Sequence, residues 1–224
     1  NQGPLLVDAG PGTGKTRTLV HRVKHCLENG ASPASILALT FSNKAAEEMG
    51  ERLAAMDADA AVQMWVGTFH SFGLEIITKW PSTIGRSGKV RILDEAAALK
   101  LLEDNLEKLP LHYYQNLYEP AYELVHVLKA ISRCKDELIS PGHYKNEAQR
   151  ALDDAVRIGN EEDHELASRA LEIAAIYEAY EQLLREADAV DFGDLVSLAV
   201  SIVETNADTR NYIAQFKHIL VDEY

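Results

Sequence analysis

The chain has 224 residues, 46% of them apolar and 25% charged, the balance of an ordinary soluble globular protein of one or two domains. No apolar run approaches the roughly 18 residues that cross a bilayer, and Asn1-Gln2-Gly3-Pro4 has neither the basic region nor the apolar stretch of a secretory signal. The net charge of −13 excludes a generally basic nucleic-acid coat, but it is unevenly spread: residues 1–80 carry 7 Lys/Arg against 8 Asp/Glu, residues 81–190 carry 13 against 21, and residues 191–224 carry 2 against 6.

In chain order, Leu5-Leu6-Val7 reads as a short strand running into a Gly/Pro-rich loop, and Leu19, Val20, Val23, Cys26 and Leu27 repeat with helical spacing up to the stop at Asn29-Gly30. Ile36 to Thr40 reads as a buried strand, Lys44 to Leu53 as a helix, and the Ala/Asp-rich stretch Ala54 to Ala61 as a loop. Val62 to Gly67 is a third strand candidate, and Ser71 to Lys79 a helix ending before Trp80-Pro81. Three strand–helix units predict a parallel, doubly wound α/β sheet. From Ile92 to Leu184 long helical periodicities are separated by Pro110, Pro120 and Ser140-Pro141-Gly142, which predicts an inserted helical subdomain. The chain returns at Asp191 with a helix to about Val203, and His218 to Tyr224 reads as another buried strand. Asp191 and Asp194 suit capping of that helix. Cys26 and Cys134 have no paired spacing, so neither a disulfide framework nor a zinc site is indicated, and a reducing, cytoplasmic setting is expected.

Between the first strand and first helix stand Ala9, Gly10, Pro11, Gly12, Thr13, Gly14, Lys15 and Thr16, followed by Arg17. This is the phosphate-binding loop pattern with alanine in place of its first glycine. Its glycines let successive N–H groups turn toward phosphate, and the helix behind adds its N-terminal dipole. Lys15 supplies a mobile charge for the β/γ-phosphates, and the Thr16 hydroxyl is a suitable Mg²⁺ ligand. Hydrolysis also needs acids near the metal and the attacking water, and Asp222-Glu223 at the end of a buried strand meets that need. Two other strand ends, Thr40-Phe41-Ser42-Asn43-Lys44 and Gly67-Thr68-Phe69-His70-Ser71, open at the same sheet edge. Each joins an aromatic ring to small polar or basic groups, a mixture suited to a single nucleic-acid strand.

Taken together, AGPGTGKT (9–16), LALTFSNKAAEEM (37–49), VGTFHSF (66–72), DFGDLV (191–196) and ILVDEY (219–224) resemble the first motor domain of UvrD/Rep-type superfamily 1 DNA helicases. RILDEAAALKLL (91–102), ISRCKDELISPGHY (131–144) and IYEAYEQLLREADAVDF (176–192) extend the resemblance over nearly the whole chain. It implies a P-loop NTPase (RecA-like) parallel sheet with helices on both faces, formed by residues 1–90 and 185–224, with an all-helical subdomain inserted at 91–184. ATP and Mg²⁺ are the implied cofactors, with Ala9 to Arg17 around the nucleotide, Thr16 and Asp222 on the metal, and Lys15 and Glu223 catalytic. Phe41, Asn43, Lys44, Thr68 and His70 would touch single-stranded DNA, and family members move 3′-to-5′ into duplex junctions. A monomer without membrane contact is the expected form. The family's upstream glutamine motif has no match in Asn1 to Leu5, and the second motor domain with its arginine fingers has no counterpart, so these residues alone are expected to hydrolyse little ATP.

Competing readings are the motor of a helicase–nuclease, a small-substrate phosphotransferase, and a non-catalytic module whose acidic insertion binds a protein. His21 and His25 have a metal-compatible spacing but no third ligand nearby, and read as a solvated face. Tyr113, Tyr114, Tyr118 and Tyr122 read as helix-packing residues rather than a site.

Overall fold

The computed structural model describes residues 3–10, 13–87, 89–116 and 118–222. Its contacts divide the chain into two compact units: residues up to Phe72 together with those from Asn206 onward, and Gly73–Thr205 between them. In chain order the first elements are Lys15–Glu28 (α1), Ile36–Thr40 (β1), Asn43–Met56 (α2), Ala58–Gln63 (α3), Trp65–Thr68 (β2) and Phe69–Lys79 (α4). Then come Arg91–Leu93 (β3), Glu95–Glu103 (α5), Pro120–Asp136 (α6), Pro141–Ile158 (α7), Glu161–Glu186 (α8), Ala189–Asp191 (β4) and Phe192–Thr205 (α9). Ala207–Ile213 (α10) and His218–Val221 (β5) follow.

The first unit is built on a parallel sheet of order β2-β1-β5. All five residues of β1 are buried, as expected of a parallel strand covered on both faces. Ile36 and Ala38 pack with Val23 and Cys26 of α1, Met49 and Leu53 of α2, and Ala60 of α3. Leu37 and Leu39 point the other way, into a cluster with Phe216, Trp65, Phe72 and Tyr212. That cluster is an aromatic chain with edge-to-face contacts: Trp65–Phe72 at 4.9 Å, Phe72–Phe216 at 6.0 Å and Tyr212–Phe216 at 5.6 Å between ring centres.

Two sequence expectations fail in this unit. Leu5-Leu6-Val7 is not a strand; its side chains are 64%, 77% and 58% exposed, and the segment joins no ladder among the described residues. A three-residue run behind Pro4, which has no N–H to give, offers few ladder bonds. The Ala54 to Ala61 stretch is not a loop, because α2 runs to Met56 and Asp57 then caps α3, its carboxylate accepting from the Ala60 amide at 3.0 Å. Strand β2 accordingly begins at Trp65 rather than Val62.

The second unit has a helical core of Leu102 (α5), Leu124, Val127 and Ile131 (α6), and Ile176, Tyr180 and Leu184 (α8). Ser140 caps α7 with Pro141 in its first turn, and Asn160 caps α8. The unit is not wholly helical: β3 and β4 form a short parallel pair, Arg91↔Ala189 to Leu93↔Asp191. Two tight features hold it. Gly73 of α4 lies so close to α9 that a Cβ there would sit 1.8 Å from the Leu195 carbonyl oxygen. The buried Glu172 carboxylate accepts the amides of His112, Tyr113 and Tyr114 at 2.7, 2.7 and 3.0 Å, fixing the loop before α6.

A buried charge cluster closes the same unit. Lys135 of α6, 2% exposed, places Nζ 2.7 Å from Asp191 Oδ2, 2.7 Å from Asp194 Oδ1 and 2.8 Å from Glu181 Oε1. Asp191 and Asp194 also cap α9 reciprocally, each carboxylate accepting the other's amide, which is the role their spacing suggests. Among the described residues, no helix is long and apolar enough to cross a membrane.

Candidate functional site

The site is built at the carboxyl ends of the three parallel strands in the first unit, where sheets of this kind bind ligands. Gly14 precedes α1 at φ 90°, ψ 32°, a left-handed conformation that glycine adopts without a Cβ penalty. Thr13 turns back on Gly10, donating its hydroxyl to the carbonyl oxygen at 2.7 Å and its amide at 3.4 Å. Pro11 and Gly12 lie outside the described residues. Helix α1 opens with no side-chain cap and no acid in its first turn, so its dipole and leading amides remain available to an anion. Lys15 is half-buried and Arg17 exposed. Lys15 makes no ion pair among the described residues.

Thr16 is where the two ends of the chain meet. Its hydroxyl donates to Asp222 Oδ2 at 2.9 Å, across 206 residues of sequence. Asp222 is 7% exposed and follows β5 directly; its amide donates to the Leu39 carbonyl at 2.8 Å and continues the ladder to β1. The other carboxylate oxygen takes no hydrogen bond among the described residues. A hydroxyl lone pair and a free carboxylate oxygen side by side are hard oxygen donors, the set Mg²⁺ takes when it keeps several waters and phosphate oxygens. Glu223 lies outside the described residues.

The remaining predicted residues occupy the neighbouring strand ends. Phe41, just past β1, is 70% exposed, and Ser42 caps α2 by accepting the Ala45 amide at 3.2 Å. Asn43 and Lys44 are the first two residues of that helix and both are exposed. Thr68 is buried instead. Its hydroxyl accepts the Ser71 amide at 3.2 Å, and its own amide donates to the Ser71 hydroxyl at 2.9 Å, so its polar atoms shape the turn into α4. His70 is half-buried on the first turn of α4.

Thr40 enters the sequence reading only as the first residue of the Thr40–Lys44 strand end, with no role of its own. It is wholly buried at the end of β1, and its hydroxyl has no partner among the described residues. His21 and His25 are exposed, and no cluster of three His, Cys, Asp or Glu able to hold a metal is found among the described residues.

These features define an α/β protein on a parallel sheet, with glycine-rich, basic and acidic chain ends gathered at the sheet's carboxyl edge. The family model of the UvrD/REP helicase N-terminal domain matches residues 1–224, and the chain belongs to that family. It is 34% identical over 226 residues to a protein of Leuconostoc citreum named ATP-dependent DNA helicase PcrA, covering all of this chain and 27% of the relative. Proteins of the same name from Staphylococcus aureus and Staphylococcus epidermidis are 32% identical over 225 residues, again with all of this chain and 28% of theirs. The chain thus spans a little over a quarter of the length of these relatives.

Proposed function

We propose that the sheet-bearing unit is the RecA-like, ATP-binding motor portion of an ATP-dependent DNA helicase and that the helical unit is an insertion in it. The Thr16–Asp222 contact carries this reading, because it joins the two halves of a Mg²⁺·nucleotide site from opposite ends of the sequence. Residues Ala9 to Arg17 wrap the phosphates: the amides of the loop and of α1 donate to them, and Lys15 supplies the mobile charge. Thr16 and Asp222 would hold the cation, Thr16 through a hydroxyl lone pair while its O–H goes on donating to Asp222 Oδ2, and Asp222 through its other carboxylate oxygen. Bound Mg²⁺ supplies neutralisation of phosphate charge. Glu223, next in sequence, is the base for the attacking water. Phe41 offers an exposed ring for a base, Asn43, Lys44 and His70 offer polar groups beside it, and Thr68 holds the turn that carries His70. In the whole protein, closure of this edge on nucleotide and its release drive stepping along single-stranded DNA in the 3′-to-5′ direction toward a duplex junction.

The test is titration of the chain with a fluorescent ATP analogue in Mg²⁺, beside the same titration of Lys15→Ala. Loss of one hydrogen-bonded charge predicts affinity lower by about tenfold or more. ATP turnover with and without single-stranded DNA is followed alongside. Equal affinity of Lys15→Ala and the unaltered chain overturns the nucleotide site.

A further inference from the structure

Thr40 has no exposed surface, and its hydroxyl finds no partner among the described residues. Buried hydroxyls in folded proteins are nearly always hydrogen-bonded, so one left open is a donor available to a partner in the liganded state.

The sheet register says which bond. Thr40 pairs laterally with Thr68 on one side, and Leu39 pairs with Val221 on the other, so the next rung sets Thr40 beside Asp222. Side chains alternate along a strand. Ile36 and Ala38 face α1 and α2, and Thr40 therefore faces them too. On β5, His218 meets Cys26 of α1, Leu220 joins the Ile36 cluster, and Asp222 meets Thr16 of α1, all on that same face. A polar row of Thr68, Thr40 and Asp222 thus closes the carboxyl end of the sheet under α1, with neighbouring strands about 4.8 Å apart.

Within this row the outer groups are partly committed. The Thr68 hydroxyl is bonded to Ser71, and Asp222 Oδ2 to Thr16. What stays open is one hydroxyl, on Thr40, and one carboxylate oxygen, on Asp222, on adjacent strands of one face.

We propose that Thr40 is a positioning residue for Asp222: when Mg²⁺·nucleotide occupies the loop, the Thr40 hydroxyl donates to the Asp222 carboxylate and fixes its orientation toward the cation. This rests on the reading of Asp222 as a metal ligand. A rotamer change at either side chain brings donor and acceptor together without moving the strands. Without ligand the hydroxyl is a liability to folding; with ligand it is the donor that stops the carboxylate from turning away.

The experiment compares Thr40→Val, which keeps the shape and removes the hydroxyl, with Thr40→Ser, which restores it, and with Lys15→Ala. Each chain is titrated with a fluorescent ATP analogue in Mg²⁺ and again in EDTA, and its thermal unfolding is recorded without nucleotide. For Thr40→Val the proposal expects an unfolding temperature equal to or above that of the unaltered chain, since a partnerless hydroxyl is replaced by a methyl group. It expects the gain in nucleotide affinity on adding Mg²⁺ to fall by about tenfold, the size of one hydrogen bond to a charged group, with affinity in EDTA unchanged. Thr40→Ser regains most of the Mg²⁺ effect. A full Mg²⁺ effect in Thr40→Val overturns the proposal, and so does a lowered unfolding temperature, which would make the hydroxyl structural. If Lys15→Ala binds nucleotide as the unaltered chain does, the nucleotide site and the role of Thr40 fall together. If Lys15→Ala loses binding while Thr40→Val keeps the Mg²⁺ effect, the role of Thr40 alone falls.

Discussion

Replacing Lys135 by Met removes a cation that touches three acids at once. Asp191, Asp194 and Glu181 all lie within 2.8 Å of Nζ, and the Tyr180 hydroxyl adds a donor to Asp191 at 3.0 Å. Burial alone would lower the lysine's pKa, but Asp194, Glu181 and Asp191 outweigh it and hold the ammonium above the ordinary lysine range. Burial pushes Asp194 up to about 7, opposed by Lys135 and reinforced by repulsion from Asp191 and Glu181. Taking away one partner of such a buried set costs about 3–5 kcal/mol, a large share of the roughly 5–15 kcal/mol that holds a domain folded. Methionine fills the lysine's volume, so the loss is electrostatic rather than a cavity. Urea unfolding followed by circular dichroism reads it as a midpoint lower by about 1 M or more. The pH dependence has a definite sign. A carboxyl whose folded pKa is raised contributes stability that is present at acid pH and is lost as pH climbs through about 7. Without Lys135 the largest influence opposing that rise is gone, leaving the Asp191 amide and the Arg86 cation, so the deficit of Lys135→Met is larger at pH 8 than at pH 5.5, and adding Asp194→Asn recovers part of it. An unchanged midpoint at pH 8, or equal deficits at the two pH values, refutes the electrostatic account.

Gly73→Ala drives a methyl group into the Leu195 carbonyl, 1.8 Å from the new carbon, and should destabilise by about 1–3 kcal/mol in thermal unfolding; an unshifted transition would mean that α4 and α9 do not approach so closely. Phe41→Ala removes a ring that is already 70% exposed, so stability holds while single-stranded DNA binding weakens by about 1–3 kcal/mol. Fluorescence anisotropy with a labelled oligothymidylate at fixed salt measures this, and unchanged affinity removes Phe41 from the DNA path.

Local grammar was legible where a residue's role depends on its near neighbours. The stop at Asn29-Gly30, the buried run Ile36 to Thr40 and the start of the last strand at His218 all stand where the sequence places them, although that last strand is an edge strand with Ile219 54% exposed and not a buried one. Thr16 and Asp222 were each visible as oxygen donors, one behind a glycine loop and one behind an apolar strand, and the structure adds their 2.9 Å contact. Features set by distant partners were less legible. Lys135 falls one turn after Ile131 on the apolar stripe of α6, a charge out of place that only Asp191, Asp194 and Glu181 explain. Glu172 reads as one acid among many until three amides from residues 112–114 close on it. Val62 to Gly67 reads as one strand in the sequence, but Asp57 caps a helix that runs through Gln63 and takes Val62 with it.

The 206 residues between Thr16 and Asp222 also set an order of assembly. Until β5 is made, β1 has β2 on one side and an open edge on the other, with five core residues waiting for cover. At ordinary synthesis rates of about 5–20 residues per second, that wait lasts on the order of ten to forty seconds, during which the whole helical unit emerges and can fold on its mostly local contacts. The pair of oxygens at the sheet edge is therefore completed last. Contact between Thr16 and Asp222 reports that the earlier strands of this sheet have found their places.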